Sequence, residues 1–251
     1  MLLALAVYLA SPGVVSAQSG EALVLSDDQM EELLQRSYQY VAMFNVNNKL
    51  ALDPDNPMST GGYNRVSANT ELADHTLQAI ARPNNDTLYT IALLDVTEEP
   101  VVLKIPAFES TYVSLMVTAY DHYVNIPMST TMGDFDEPAT MLFYSERTPG
   151  YDGEAVEGVD RVFATTGDFV SAVFRVMPHA AEPVRLAANL AAMRRVDVEP
   201  LSEFLGQADR EPHVLPWNSP RGVGRNLDLR EDRARFPPYG SDFEIFEDRF
   251  I

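Results

Sequence analysis

Asp86, Asp121 and His122 are the residues of this sequence whose types suit acid–base chemistry. Asp121 and His122 are adjacent in "AYDHYVN", three residues before Asn125. A carboxylate within reach of an imidazole makes a proton donor and acceptor pair. Carboxylate and amide oxygens with one imidazole would equally suit a hard cation, but the fixed spacing of a metal motif is missing, so no metal and no cofactor is assigned. A second polar set lies in "RPNND". There Asn84, Asn85 and Asp86 precede an apolar run that begins "TLY" and carries Tyr89. These side chains, with Asn125, could bind a sugar or another small polar molecule. Arg175, the one charge in the run "VFRVM", needs an acidic partner or an exposed face, and a salt bridge to Asp86 or Asp121 is one expectation. A structural reading stands beside each functional one. Asn and Asp at strand ends satisfy loop N–H groups, and Asn84 to Asp86 suit an Asx-type turn after Pro83. The functional reading needs the two stretches to meet at one end of the fold.

Other chemistry is thinly represented. The sequence has no G-x-S-x-G elbow, H-E-x-x-H, phosphate loop or dinucleotide glycine pattern. The G-x-G of Arg221 to Arg225 lies in a Pro-rich stretch with no strand before it and reads as a turn. The remaining histidines are His75, His179 and His213. The chain contains no cysteine, which excludes thiol catalysis and thiolate metal sites. Its net charge is −19, from 37 acidic and 18 basic residues. Such a surface repels nucleic acid and anionic lipid.

The elements that must position these residues change character along the chain. Met1 to Ala17, "MLLALAVYLASPGVVSA", has an apolar stretch followed by small residues, the pattern of a secretory signal cleaved before Gln18. The expected location is therefore periplasmic or secreted. No stretch is long enough to span a bilayer, and the oligomeric state is left open. Ser26 and Gln29 form a capping box for a helix over "SDDQMEELLQRSYQYVAMF", with an apolar face of Met30, Leu33, Leu34, Tyr38, Val41 and Phe44. Asn45 to Ala81, rich in Asn, Pro, Gly and Ser, reads as a long connection.

The period then becomes two. Strands are expected over residues 87–95, 100–106, 111–121, 139–145, 160–166 and 168–177. Sequential strands with tight turns argue for an antiparallel β-sandwich. Helices return in "EPVRLAANLAAMRRV" and "EPLSEFLGQ". The fold class is thus α+β, mainly β. Its organisation is a signal over 1–17, a sandwich domain with flanking helices over 18–209, and a Pro/Gly-rich tail over 210–251. Hydrophobic residues make up 46% of the chain, enough for a sizeable core.

"ARPNNDTLYTIALLDVTEEPVVLKIP" resembles the signature of the bacterial domain-of-unknown-function 1254 family, with its N-x-D-T-L-Y core and later "EPVVL". "YVSLMVTAYDHYVN" and "TGDFVSAVFRV" resemble that family's next aromatic strand and its later strand ending in a single Arg, and "RRVDVEPLSEF" its helical end. The resemblance runs from about Met30 to Gln207. It implies an immunoglobulin-like β-sandwich with helical additions and transfers no activity. Members commonly continue into a second, jelly-roll-like domain, of which "SDFEIFEDRFI" looks like the leading helix; that domain is expected to be missing from this chain. Three functions follow as expectations: an exported domain that binds or processes a small polar molecule at one end of the sandwich; a hydrolase or lyase using His122 with Asp121 or Asp86, with or without a metal; and a non-catalytic envelope module docking a partner through Trp217 and Phe236 to Tyr239.

Overall fold

The computed structural model describes residues 26–53, 55–56, 58–77 and 83–207. The expected signal over 1–17 and the tail from 210, with Trp217 and Phe236 to Tyr239, lie outside them. The chain divides into two units, Met1–Ser37 and Tyr38–Ile251.

In the first unit the capping box forms as expected. The Gln29 N–H donates to Ser26 Oγ at 3.3 Å, and the Ser26 N–H donates to Gln29 Oε1 at 3.0 Å. Asp27 and Asp28 fill the first turn, where their charge complements the positive end of the helix dipole. This opens helix α1 (Asp27–Leu52), which continues into the second unit and runs eight residues past the expected end at Phe44.

The second unit is mainly β. Among the described residues its strands are β1 (Arg65–Asn69), β2 (Leu88–Asp95), β3 (Val101–Ile105), β4 (Val113–Ala119), β5 (Val124–Ser129), β6 (Ala139–Ser145), β7 (Arg161–Thr165), β8 (Phe169–Val176) and β9 (Asp197–Pro200). Helices α2 (Pro183–Met193) and α3 (Leu201–Phe204) close the described region. The strands form a five-stranded sheet, β1-β2-β8-β4-β5, and a four-stranded sheet, β7-β6-β3-β9. All pairings are antiparallel except β6 with β7, which is parallel. The short turns after β2 and β3 carry the chain from one sheet to the other and back; they do not close hairpins. β1 falls in the stretch expected to be connection, and β5 and β9 were not expected as strands. No described helix is long and apolar enough to cross a membrane.

Period-two alternation decides which side chains are inside. Leu88, Ala92 and Leu94 of β2, Val113, Leu115 and Val117 of β4, and Val170, Ala172, Phe174 and Val176 of β8 join Val101, Leu103, Met141 and Phe143 of the other sheet in one buried cluster. Among the described residues, one end of the outward phase of the five-stranded sheet is covered. There Leu93, Tyr120 and Phe169 pack with Tyr63 and with Phe44 and Ala51 of α1. Phe44 meets Tyr120 and Phe169 edge-on, with ring centroids 6.1 and 5.5 Å apart. On the outside of the four-stranded sheet, Val102 and Leu142 are buried with Tyr151.

Candidate functional site

The register of the five-stranded sheet separates the two stretches that were expected to converge. Leu88, which follows the "RPNND" corner, pairs with Val176, and Val176 pairs with Val113. Asp95 pairs with Phe169, and Ala119, just before Asp121 and His122, pairs with Val170. The Asn84 corner and the Asp121–His122 turn therefore lie at opposite ends of the strands. Eight residues of β2 set them roughly 23 Å apart along the strand direction. Asp86 does not meet Asp121 or His122, so no acid–base pair links the two stretches. The expectation failed because β2 and β4 both pair antiparallel with β8 and so run in the same direction, which puts the start of β2 and the end of β4 at opposite ends of the sheet.

At the Asp121 end the side chains shape a turn. The Tyr123 N–H donates to Asp121 Oδ1 at 3.0 Å. His122 takes a left-handed backbone, φ 69°, which His tolerates better than most residues. Its Nε2–H donates to the Gln39 carbonyl of α1 at 3.0 Å. Asn125 clamps Thr166, donating to Thr166 Oγ1 at 3.1 Å and accepting the Thr166 N–H at 3.0 Å. Nearby, Arg147 Nε donates to both carboxylate oxygens of Asp168 at 3.0 and 2.9 Å. Burial, and then the charge of Asp168, raise the pKa of the Tyr40 hydroxyl. Beneath α1, Tyr63 donates to Asn48 Oδ1 at 3.1 Å and shares a hydrogen bond of 3.1 Å with Tyr120. Burial holds both phenols above their ordinary pKa.

The opposite end carries a different arrangement. Asn84 Oδ1 accepts the Asp86 N–H at 2.9 Å, the expected Asx-type turn. Its amide nitrogen then donates forward to Thr87 Oγ1 at 2.8 Å and to the Tyr89 hydroxyl at 3.1 Å. That bond pins the Tyr89 ring on the outward face of β2. Asn85 and Asp86 are exposed beside it. Across the sheet, Asn69, Tyr89, Arg175, Ser114 and Ser129 stand in one register row, on β1, β2, β8, β4 and β5. Arg175 is exposed, and its guanidinium lies over the Tyr89 ring, 5.6 Å from the centroid. Tyr112 donates to Ser114 Oγ at 3.2 Å and adds a further phenol to the same strip. The expected salt bridge from Arg175 to Asp86 or Asp121 does not form, and Arg175 joins none of the ion pairs among the described residues.

Of the eight residues singled out in the sequence, the structure gathers Asn84, Tyr89 and Arg175, with Asn85 and Asp86 at their margin, and leaves Asp121, His122 and Asn125 at the far end. Tyr112 and Ser114 belong to the first group and were missed as site residues. Their signal was the alternation that already put them on the face opposite Val113 and Leu115. The Arg175 guanidinium over the Tyr89 ring is a cation–π contact.

Comparison with known proteins agrees with this architecture. Residues 63–200, more than half of the chain, match the family described as "Protein of unknown function (DUF1254)". The chain belongs to this family. The matched DUF1254 region runs from Tyr63 through β9 and so contains both ends of the five-stranded sheet. Among solved structures, the VPA0106 protein from Vibrio parahaemolyticus is similar at a TM-score of 0.52 and 20% identity, over 87% of this chain and 50% of that one. That likeness is one of fold. An uncharacterized protein from Burkholderia cenocepacia matches at a TM-score of 0.31 and 11% identity, over 67% of this chain and 50% of that one, too remote to bear on fold or function. The chain spans about half the length of both. No curated protein matches it.

Proposed function

We propose that this DUF1254 domain binds a small carboxylate at the Arg175 end of its five-stranded sheet. The observation that carries the reading is Arg175 itself. In a chain of net charge −19, this exposed guanidinium has no carboxylate partner among the described residues and lies over the Tyr89 ring, 5.6 Å from its centroid. A guanidinium offers parallel N–H donors that match the two oxygens of a carboxylate. The Asn84–Tyr89 bond positions the ring beneath it. Ser114, beside Arg175 in the register, supplies a hydroxyl for further bonding. Asp86, exposed at the margin of the site, disfavours a second negative charge there and so favours a monoanion over a dianion.

The Met1 to Ala17 pattern supports a site of action outside the cytoplasm; a mature chain starting at Gln18 is the expected mass-spectrometric result.

Isothermal titration with benzoate tests the binding reading. Saturable binding to the wild-type chain is expected, at least tenfold weaker in Arg175→Gln and intermediate in Arg175→Lys, which keeps the charge and loses the fork. Equal binding by the wild type and Arg175→Gln would reject the site.

A further inference from the structure

Between the Arg175 row and the end of the sheet covered by α1 lies one more outward row: Ile91, Val173, Met116 and Pro127, paired across β2, β8, β4 and β5. It differs from its neighbours in chemistry. The row on one side is Tyr89, Arg175, Ser114 and Ser129, polar and cationic. The row on the other, Leu93, Ser171 and Thr118, is buried. From β2 to β5 the intervening row is apolar, with Ser67 of β1 at its other end, yet Met116 is 41% exposed. Pro127 is also exposed, and Ile91 and Val173 are half-buried. Val173 precedes Arg175 by two residues on the same strand, so the apolar row begins about 7 Å from the cation's own row. From Val173 across Met116 to Pro127 it crosses two strand spacings, about 10 Å.

We propose that the ligand bound by Arg175 is an amphiphilic monocarboxylate, a short straight-chain acid whose head sits on the guanidinium and whose tail lies across Val173, Met116 and Pro127. This inference rests on the carboxylate reading above and specifies its substrate class. Charge complementarity fixes the head: the row holds one cation, with neutral Asn69, Tyr89, Ser114 and Ser129 beside it, so it matches one negative charge. The length of the shelf fixes the tail. The buried row closes it on one side, and β5, as the last strand of its sheet, ends it at Pro127. The diagonal from the Arg175 row to Pro127 is about 12 Å, so an acid of about ten carbons fills it, and further carbons would extend past the sheet edge into water. Met116 suits this surface because an unbranched thioether adapts to a flexible chain.

The test is a series of sodium salts, propanoate, pentanoate, octanoate, decanoate and dodecanoate, titrated into the full chain by calorimetry, with NMR shifts for the weak short acids. Affinity is expected to rise by up to about fourfold per methylene as far as decanoate and to gain little at dodecanoate. In Met116→Ser, whose fold is checked by its thermal midpoint, the octanoate-to-propanoate affinity ratio is expected to fall fivefold or more. Octanol, which lacks the charge, is expected not to bind. Affinity independent of chain length in the wild type overturns the amphiphile while leaving the anion site standing. Failure of every carboxylate, propanoate included, removes the underlying reading. Binding seen only for acid embedded in phosphatidylcholine vesicles overturns the proposal in favour of a membrane surface.

Discussion

Asn84 makes two kinds of bond from one side chain. Its oxygen closes the turn onto the Asp86 N–H while its nitrogen reaches Thr87 and the Tyr89 hydroxyl. The expected Asx-type turn thus also positions the aromatic ring under Arg175. Asp121 and His122 fall on the structural side, because a turn N–H occupies one and the Gln39 carbonyl engages the other. Spacing along the chain could not distinguish these outcomes. The choice was set by a helix residue more than 80 positions away and by strand pairing. The buried phenols yield a prediction at this scale. Tyr63 and Tyr120 have folded-state pKa values above the ordinary 10.0, so below about pH 10 both folded and unfolded chains keep these protons and stability is unaffected. Above it the unfolded chain releases them first, and stability falls as pH rises, by up to about 1.4 kcal/mol per pH unit for each phenol. Urea titrations between pH 9 and 11 are expected to show this loss, with a shallower slope in Tyr63→Phe.

Element boundaries were legible where burial is simple. β6 spans residues 139–145 as read, and the other five expected strands match within two residues at each end, because each is a short run rich in apolar and β-branched residues bounded by turn residues. Three strands were not legible. β1 is a short edge strand of polar and small residues, Arg65–Asn69. β5 carries Pro127, acceptable on an edge. β9 has four residues and merges into α3. The second half of α1 was hidden by its asparagines, which usually signal a loop. Asn47 instead donates back to the Met43 carbonyl at 2.9 Å, and Asn48 accepts from Tyr63. Both polar groups are satisfied within the structure, so the helix can continue through them. The contribution of this segment is measurable. Phe44 is 9% exposed and meets the Tyr120 and Phe169 rings. Phe44→Ala is expected to destabilise the fold by about 3 kcal/mol or more, read by chemical denaturation, and a loss below about 1 kcal/mol would mean that α1 does not anchor that end of the sheet.

For the whole molecule, charge is the dominant feature visible in composition. A net −19 makes the compact state self-repelling, and added salt shortens the reach of that repulsion to about 8 Å at physiological ionic strength. The thermal midpoint is therefore expected to rise between 10 mM and 500 mM sodium chloride, and a flat or falling midpoint would contradict the charge argument. Exposed Arg65, Arg194 and Arg195 also join no ion pair among the described residues, and Arg175 differs from them in lying over an aromatic ring. Fold class and family were readable from strand pattern and the N-x-D-T-L-Y core. The site was half readable: its residue types stood out, but which of them share an end of the sandwich depends on cross-strand register. The most direct test of the account is an NMR titration of the isotopically labelled chain with octanoate. The account predicts that the Arg175 Nε–H, the Tyr89 ring and the Met116 methyl shift together along one binding curve while His122 and Asp121 stay fixed. Shifts centred on His122, with Arg175 unmoved, would contradict it.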